Sequence, residues 1–269
     1  MKYISFTFDD GRKDNYTNAY PIMQRYKLTG TLYCTTGYID GTWENSSKWY
    51  SSQAALSLAE IRQLYQLGWE IGLHGDKHTT SVEDLKIAYQ KILSWGIKQD
   101  KFGFSIPNSS IDPKILNQVI QQCLGKEISY IRTGRKIDTS TINAKILFGL
   151  YRYVGIQWAY NKFNSRNINS LKSIQKTNIY SLVIRWEDKQ KMLEKFINQM
   201  PDNSWAILMF HSILPETHPL YGSDPWNWSE HKFDTFCHYT ANEQKAKRVR
   251  VLPVNEVLSI VDKNRGNYV

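Results

Sequence analysis

Short apolar, β-branched runs alternate along the chain with stretches whose apolar side chains recur every three or four positions. The first kind predicts buried strands, at Tyr3–Phe8, Thr29–Thr36, Trp69–Leu73, Phe102–Ile106, around Tyr130, at Ile179–Ile184 and at Trp205–Phe210. The second predicts helices at about 18–26, where Pro21 sits in the first turn, and at 82–95, 113–123 and 189–200. Another helix opens at Ser57 with Glu60 in capping-box spacing and closes at Gly68, and a last one follows Pro253 over 255–261. Strands alternating with helices imply parallel βα units, whose chemistry gathers where the strands end. Asp9, Asp10, His74, Asn108 and His211 all stand at such ends. Residues 136–177 break the rhythm, being rich in Asn, Ser and Lys with one aromatic run, Phe148–Tyr153. They are expected as an irregular insertion in a single domain spanning residues 1–269.

Composition agrees with a folded enzyme-sized chain: 41% of its 269 residues are hydrophobic, enough for a sizeable core. The net charge of +9 raises the question of an anionic partner. Its lysines and arginines are dispersed, the one tight cluster being Lys245, Lys247, Arg248 and Arg250, so a solvated surface is expected and nucleic acid is not. Steering of a nucleotide-linked sugar, a lipid phosphate or an inner-leaflet surface is compatible with it, and so is peripheral membrane contact. Cys34, Cys123 and Cys237 are odd in number and widely spaced, which suggests neither a disulfide framework nor a CxxC site. The first residues, MKYISFTFDDG, lack a signal-peptide pattern and no run has the apolar length of a membrane span, so a cytoplasmic location is expected.

Three features carry chemistry. Asp9-Asp10 at a strand end is either a solvated turn or a carboxylate pair held together by a cation, because like charges raise one another's pKa. His74 and His78, four residues apart after another strand, can share a metal; Gly75 stands where a zincin would have its glutamate, so the base must come from elsewhere. Two histidines and Asp10 leave coordination positions open, as catalytic sites do, and Asp9 is then free to act as the base. His211, ending the run Trp205–Phe210, suits a general acid.

These motifs resemble the polysaccharide deacetylase (NodB-homology) family, carbohydrate esterase family 4, over nearly the whole chain. Thr7-Phe8-Asp9-Asp10 matches its first motif and His74-Gly75-Asp76-Lys77-His78 its second, with Gly75 replacing the usual hydroxyl residue. Ser105-Ile106-Pro107-Asn108 matches the third, except that Ser105 replaces the arginine that pairs with the catalytic aspartate; Arg132, Arg135 and Arg185 are candidates to supply that charge. Arg185-Trp186-Glu187-Asp188 meets the fourth loosely, and Leu208-Met209-Phe210-His211 meets the fifth with one extra residue. The resemblance implies an α/β fold, a distorted (β/α)7-type barrel, and metal-dependent removal of an N-acyl group, acetyl foremost, from a sugar. It implies Asp9 as base, a divalent ion (Zn²⁺ expected) on Asp10, His74 and His78, the Asn108 N–H at the oxyanion, and His211 as acid, oriented by Asp188 or Glu187. Trp226 and Trp228 are expected to wall the sugar site, with Arg132 and Trp186 completing the substrate-binding set. The expected substrate is an N-acylated polysaccharide, oligosaccharide, or nucleotide- or lipid-linked sugar. The alternatives are a deformylase of a linked sugar and a sugar-binding protein with weak or no catalysis, the latter favoured by the missing arginine.

Overall fold

Strand β1 (Lys2–Phe8) shows how the sequence divides between two environments. Ile4, Phe6 and Phe8 join the large apolar cluster beneath the helices, whereas Tyr3 packs with Tyr33, Tyr130, Trp205 and Ile207 in a second one. Ser5 accepts a hydrogen bond from the Trp205 indole at 3.0 Å. The strand period of two thus sends Tyr3, Ser5, Thr7 and then Asp9 to the barrel interior.

The structure is a computed structural model that describes residues 1–44, 53–99, 101–134, 141–223 and 225–266. Arg135, Asp224 and residues 136–140 of the expected insertion lie outside the described residues. Seven parallel strands close a barrel: β1, β2 (Thr31–Cys34), β3 (Glu70–Leu73), β4 (Phe102–Ser105), β5 (Ile128–Gly134), β7 (Ile179–Val183) and β8 (Ser204–Phe210). Closure comes from β8 pairing with β1, from Tyr3 opposite Trp205 to Phe8 opposite Phe210. β6 (Asn169–Ser170) adds antiparallel to β8, and β9 (Ser212–Leu214) pairs with β10 (Asn227–Ser229) beyond it. β11 (Val249–Val251) occupies the first half of β1, so β2 reaches it only at Thr7 and Phe8, which distorts the barrel there. Bulky interior tyrosines need room, and glycines provide it: a Cβ at Gly72 would meet the Tyr33 ring, and one at Gly103 the Tyr130 ring.

The expected strands and the helices Leu58–Gln66, Val82–Ser94, Pro113–Gln122 and Gln190–Gln199 are present within a few residues of their predicted limits. The Ser57–Glu60 capping box is formed in both directions. Two differences stand out. The stretch expected to be irregular contains helices at Ile142–Gly149 and Gln157–Asn164, the first capped by Thr141. Phe148, Tyr151, Tyr160 and Phe163 hold this pair together with ring centroids 5.2–5.6 Å apart. The helix Glu230–Lys245, capped by Ser229, was not expected, although its buried Phe233, Phe236, Cys237 and Ala241 recur at helical spacing on one face. Among the described residues no helix is long and apolar enough to cross a membrane.

Candidate active site

Asp10, His74 and His78 come together at the C-terminal ends of β1 and β3, with ligand atoms all within 4.8 Å of one another. His74 Nε2 lies 3.6 Å and His78 Nε2 3.8 Å from Asp10 Oδ1. A tetrahedral zinc ion with bonds of about 2.0–2.1 Å holds its ligand atoms about 3.4 Å apart, so the three residues fit such an ion. The His74 Nδ1 is 2.8 Å from the Ser105 carbonyl. A carbonyl only accepts, so Nδ1 carries the proton and the Nε2 lone pair faces Asp10. Burial, then the neighbouring His74, pulls the His78 ring down to about 4, which keeps it neutral and competent to ligate. The Trp43 ring stacks on His78 at 6.4 Å.

The loop bearing the histidines is held from below. Asp84, at the start of helix Val82–Ser94, accepts from the backbone N–H groups of Asp76 at 2.8 Å and Lys77 at 2.9 Å. Gly75 adopts φ +80°, and a Cβ there would strike the Asp84 carboxylate. The loop therefore requires glycine at this position. Asp10 is also in the left-handed region, at φ 76°. Its second oxygen is gripped by Arg12, Nε at 3.0 Å and Nη2 at 2.9 Å, leaving Oδ1 for the histidines. Burial pushes the Asp10 carboxyl up, but Arg12 and then the three histidines outweigh it and hold it far below the usual carboxylate range.

Asp9, on the interior side of the turn, has one oxygen bound and one bare. Oδ2 accepts from Arg132 Nη2 at 2.5 Å and from Ser105 Oγ at 3.3 Å. Oδ1 is buried and has no hydrogen-bond partner among the described residues. Arg132 also donates to Ser105 Oγ and, at 2.8 Å, to Ser181, and it lies over the Tyr33 ring at 4.8 Å. Burial raises the Asp9 carboxyl, while Arg132, His74 and His211 more than compensate and leave it ionised below its ordinary pKa. His211, just past β8, acts electrostatically on both aspartates; burial pulls its ring down. Its Nδ1 has no partner among the described residues, and Trp226 packs against the ring at 5.3 Å. Asn108 follows β4 with φ 54°, its backbone turned sharply at the strand end.

The polysaccharide deacetylase family model matches residues 1–150. The chain belongs to this family. A family 4 acetyl xylan esterase from Clostridium thermocellum, in complex with a cobalt ion, is 14% identical with a TM-score of 0.52, covering 96% of this chain and 91% of that one. The peptidoglycan deacetylase PdaC from Bacillus subtilis is 14% identical over 98% of this chain and 93% of its own, at a TM-score of 0.48. A polysaccharide deacetylase from Bacillus cereus is 20% identical at a TM-score of 0.38, over 48% of this chain; the chain spans 39% of that protein's length. A search of the curated proteins finds no relative. The likeness to the esterase establishes the deacetylase barrel, and the family match covers the aspartates and both histidines but stops before His211.

Within this polysaccharide deacetylase frame, several expected roles change. Arg132 is not available to a substrate: it is 1% exposed and serves Asp9 from beneath. It stands directly opposite Ser105 in the β4–β5 register, so the arginine missing from the family's third motif is supplied by the neighbouring strand. Arg185, the other described candidate, lies instead over Trp226 at 5.4 Å. Trp228 is 1% exposed, packs on Phe210 and Phe236, and donates to the Asp188 carbonyl, so it belongs to the core rather than to a sugar-binding wall. Trp226 is beside His211, and Trp186 is exposed nearby, where its backbone N–H donates to the Pro225 carbonyl. Neither Asp188 nor Glu187 orients His211: Asp188 accepts from the Arg185 N–H, and Glu187 pairs with Arg152. Sequence reasoning missed Arg12 and Asp84. The spacing of Arg12, two residues after Asp10, was the available signal for the first; nothing in the sequence flagged the second.

Proposed function

We propose that the protein hydrolyses the N-acetyl group of a sugar, using a divalent metal ion, with zinc the ion the donor set suits, held by Asp10, His74 and His78. The observation that carries the proposal is the convergence of these three donors with the bare Oδ1 of a buried, ionised Asp9. When bound, the metal supplies Lewis acidity to the acyl carbonyl and acidifies the attacking water. Asp9 takes the proton from that water as its oxygen bonds to the amide carbon. The Asn108 N–H donates to the developing oxyanion. His211 protonates the nitrogen as the C–N bond breaks, so that acetate and a free amine leave. Arg132 keeps Asp9 ionised and fixed, and Trp226 offers an aromatic face for the sugar ring. The sugar-binding reading without catalysis rested on the missing arginine, and the Arg132–Asp9 pair removes that reason.

The test combines elemental analysis with acetate release from N-acetylated sugars. Asp9→Asn is expected to keep the metal and lose turnover, and His74→Ala to lose both. A wild-type protein with no metal and no turnover on any N-acetylated glycan or nucleotide sugar would refute the proposal, and normal turnover by Asp9→Asn would remove Asp9 as the base.

A further inference from the structure

Between residues 139 and 186 the sequence contains seven lysines and arginines (Lys145, Arg152, Lys162, Arg166, Lys172, Lys176, Arg185) and no aspartate or glutamate. Six of the seven lie in the helical segment between β5 and β7 and Arg185 just after β7; of these, Lys176 pairs with Asp262 and Arg152 with Glu187. The same segment breaks the usual rule for surfaces. Ile142 is 76% exposed, Ile146 55%, Tyr153 77%, Val154 64% and Trp158 56%. With Trp186 they make six of the nine large hydrophobic side chains exposed among the described residues. Ile142 and Ile146 lie one turn apart on helix Ile142–Gly149, with Lys145 exposed beside them. The inner face of the segment is already satisfied by Tyr151, Tyr160 and Phe163, so the outer residues are not surplus core waiting to fold inward.

We propose that this segment docks the protein onto an anionic lipid surface. Interfacial helices pair apolar and aromatic side chains, which enter the headgroup and acyl boundary, with lysines and arginines that meet anionic headgroups. Tyr and Trp favour that boundary, and Ile and Val require hydrocarbon rather than sugar. An acidic polysaccharide would leave the aliphatic side chains in water, and a second copy of the chain would set two acid-free basic segments against each other. The segment also adjoins the candidate site. Arg152 pairs with Glu187, Arg185 lies 3.6 Å from Glu187 and over the Trp226 ring, and Trp226 packs on His211. Docking through Tyr153 and Val154 therefore brings the mouth of the site to the lipid surface, where a glycan anchored in or tethered to a bilayer is presented. The docking does not depend on the reaction, since vesicle binding is read without turnover.

The experiment is flotation of the full chain with vesicles containing phosphatidylglycerol and with vesicles of phosphatidylcholine alone, at low and at near-physiological salt. The wild-type protein is expected to float with the anionic vesicles and to weaken as salt rises. Tyr153→Ser/Val154→Ser/Trp158→Ser and Lys145→Glu/Lys162→Glu are each expected to reduce binding by about tenfold or more while thermal unfolding and turnover of a soluble substrate stay unchanged. No flotation by the wild-type protein, equal flotation with both lipids, or undiminished flotation of both variants overturns the proposal. So does a salt-stable dimer in sedimentation equilibrium that the triple substitution abolishes, which would assign the face to a second copy.

Discussion

Replacing Arg132 by methionine tests whether an arginine on β5 does the work of the one absent from β4. In the folded protein both partners of the Arg132–Asp9 pair are buried, 1% and 3% exposed, with 2.5 Å between Nη2 and Oδ2. Removing one member of such a pair leaves an uncompensated charge, a loss of about 3–5 kcal/mol. For a chain of this size that corresponds to a fall in Tm of about 6–20 °C. Asp9 also loses its anchor, so turnover is expected to fall by the factor a general base contributes, about 10²–10⁴. Arg132→Lys keeps the charge but not the fork that reaches Asp9, Ser105 and Ser181 together, and it should recover stability more than activity. The decisive arm is the exchange Ser105→Arg/Arg132→Ser, which returns a guanidinium to the interior from the opposite register position. It should regain much of the turnover that Arg132→Met loses. The assays are calorimetry for Tm and acetate release for kcat. Wild-type Tm and turnover in Arg132→Met would show that Asp9 needs no cation, and the assignment of Arg132 would fall.

Three further expectations rest on other parts of the molecule. His211→Gln should lower kcat by about 10²–10⁴ on an N-acetyl amide, yet far less on an acetyl ester whose leaving group needs no proton; equal losses on both would exclude proton donation. Glu70, buried at the start of β3, accepts from Thr31, Tyr130 and the Asn255 N–H, and burial pushes its carboxyl up to about 7. A raised carboxyl stabilises the fold fully below its unfolded pKa and ceases to do so as pH rises through 7, so unfolding free energy should drop by about 3 kcal/mol from that group between acid and mildly alkaline pH. Urea titrations should show Glu70→Gln flattening that slope, and an unchanged slope would be evidence against the raised carboxyl. Gly75→Ser restores the hydroxyl residue usual in the family but drives a Cβ into Asp84 at φ +80°. Metal affinity, read by competition with a chelator, should weaken by about 10–100-fold, and an unchanged affinity would mean the loop has another way to close.

The barrel was legible because its strands are short apolar runs with turn residues at their ends, and the helices that cover it repeat at helical spacing. Helix Glu230–Lys245 escaped despite a regular buried stripe, whereas the helices between residues 142 and 164 escaped because their apolar residues are aromatic and irregularly spaced. Phe148, Tyr151, Tyr160 and Phe163 pack across a helix pair broken by Gly155 at φ 79°, so no single stripe runs through the segment. The site divided in the same way. Asp9, Asp10, His74, His78 and His211 each end or follow a strand, and their residue types, spacing and match to the family motifs marked them. Trp226 and Trp228 could not be told apart, because two residues along a loop one indole faces His211 and the next closes over Phe210.

The displaced arginine shows why a motif read along one strand can misjudge a barrel site. Asp9, the proposed base, meets its cation at a point in space, and that point lies between two hydrogen-bonded strands. In parallel pairing Ser105 and Arg132 are register neighbours whose side chains enter the interior at the same level, so either strand can deliver the charge. The small Ser105 then becomes part of the solution. Its hydroxyl bridges Arg132 and Asp9, whereas a second long side chain at that position would crowd the guanidinium from Asp9. Ser181 on β7 completes the cradle from the other side, which ties the charge on Asp9 to three consecutive positions around the sheet. Sequence spacing along β4 carries no trace of this arrangement; sheet register does. A chain of this family that lacks the arginine of its third motif should therefore be judged by the residue opposite that position on the next strand before it is judged inactive.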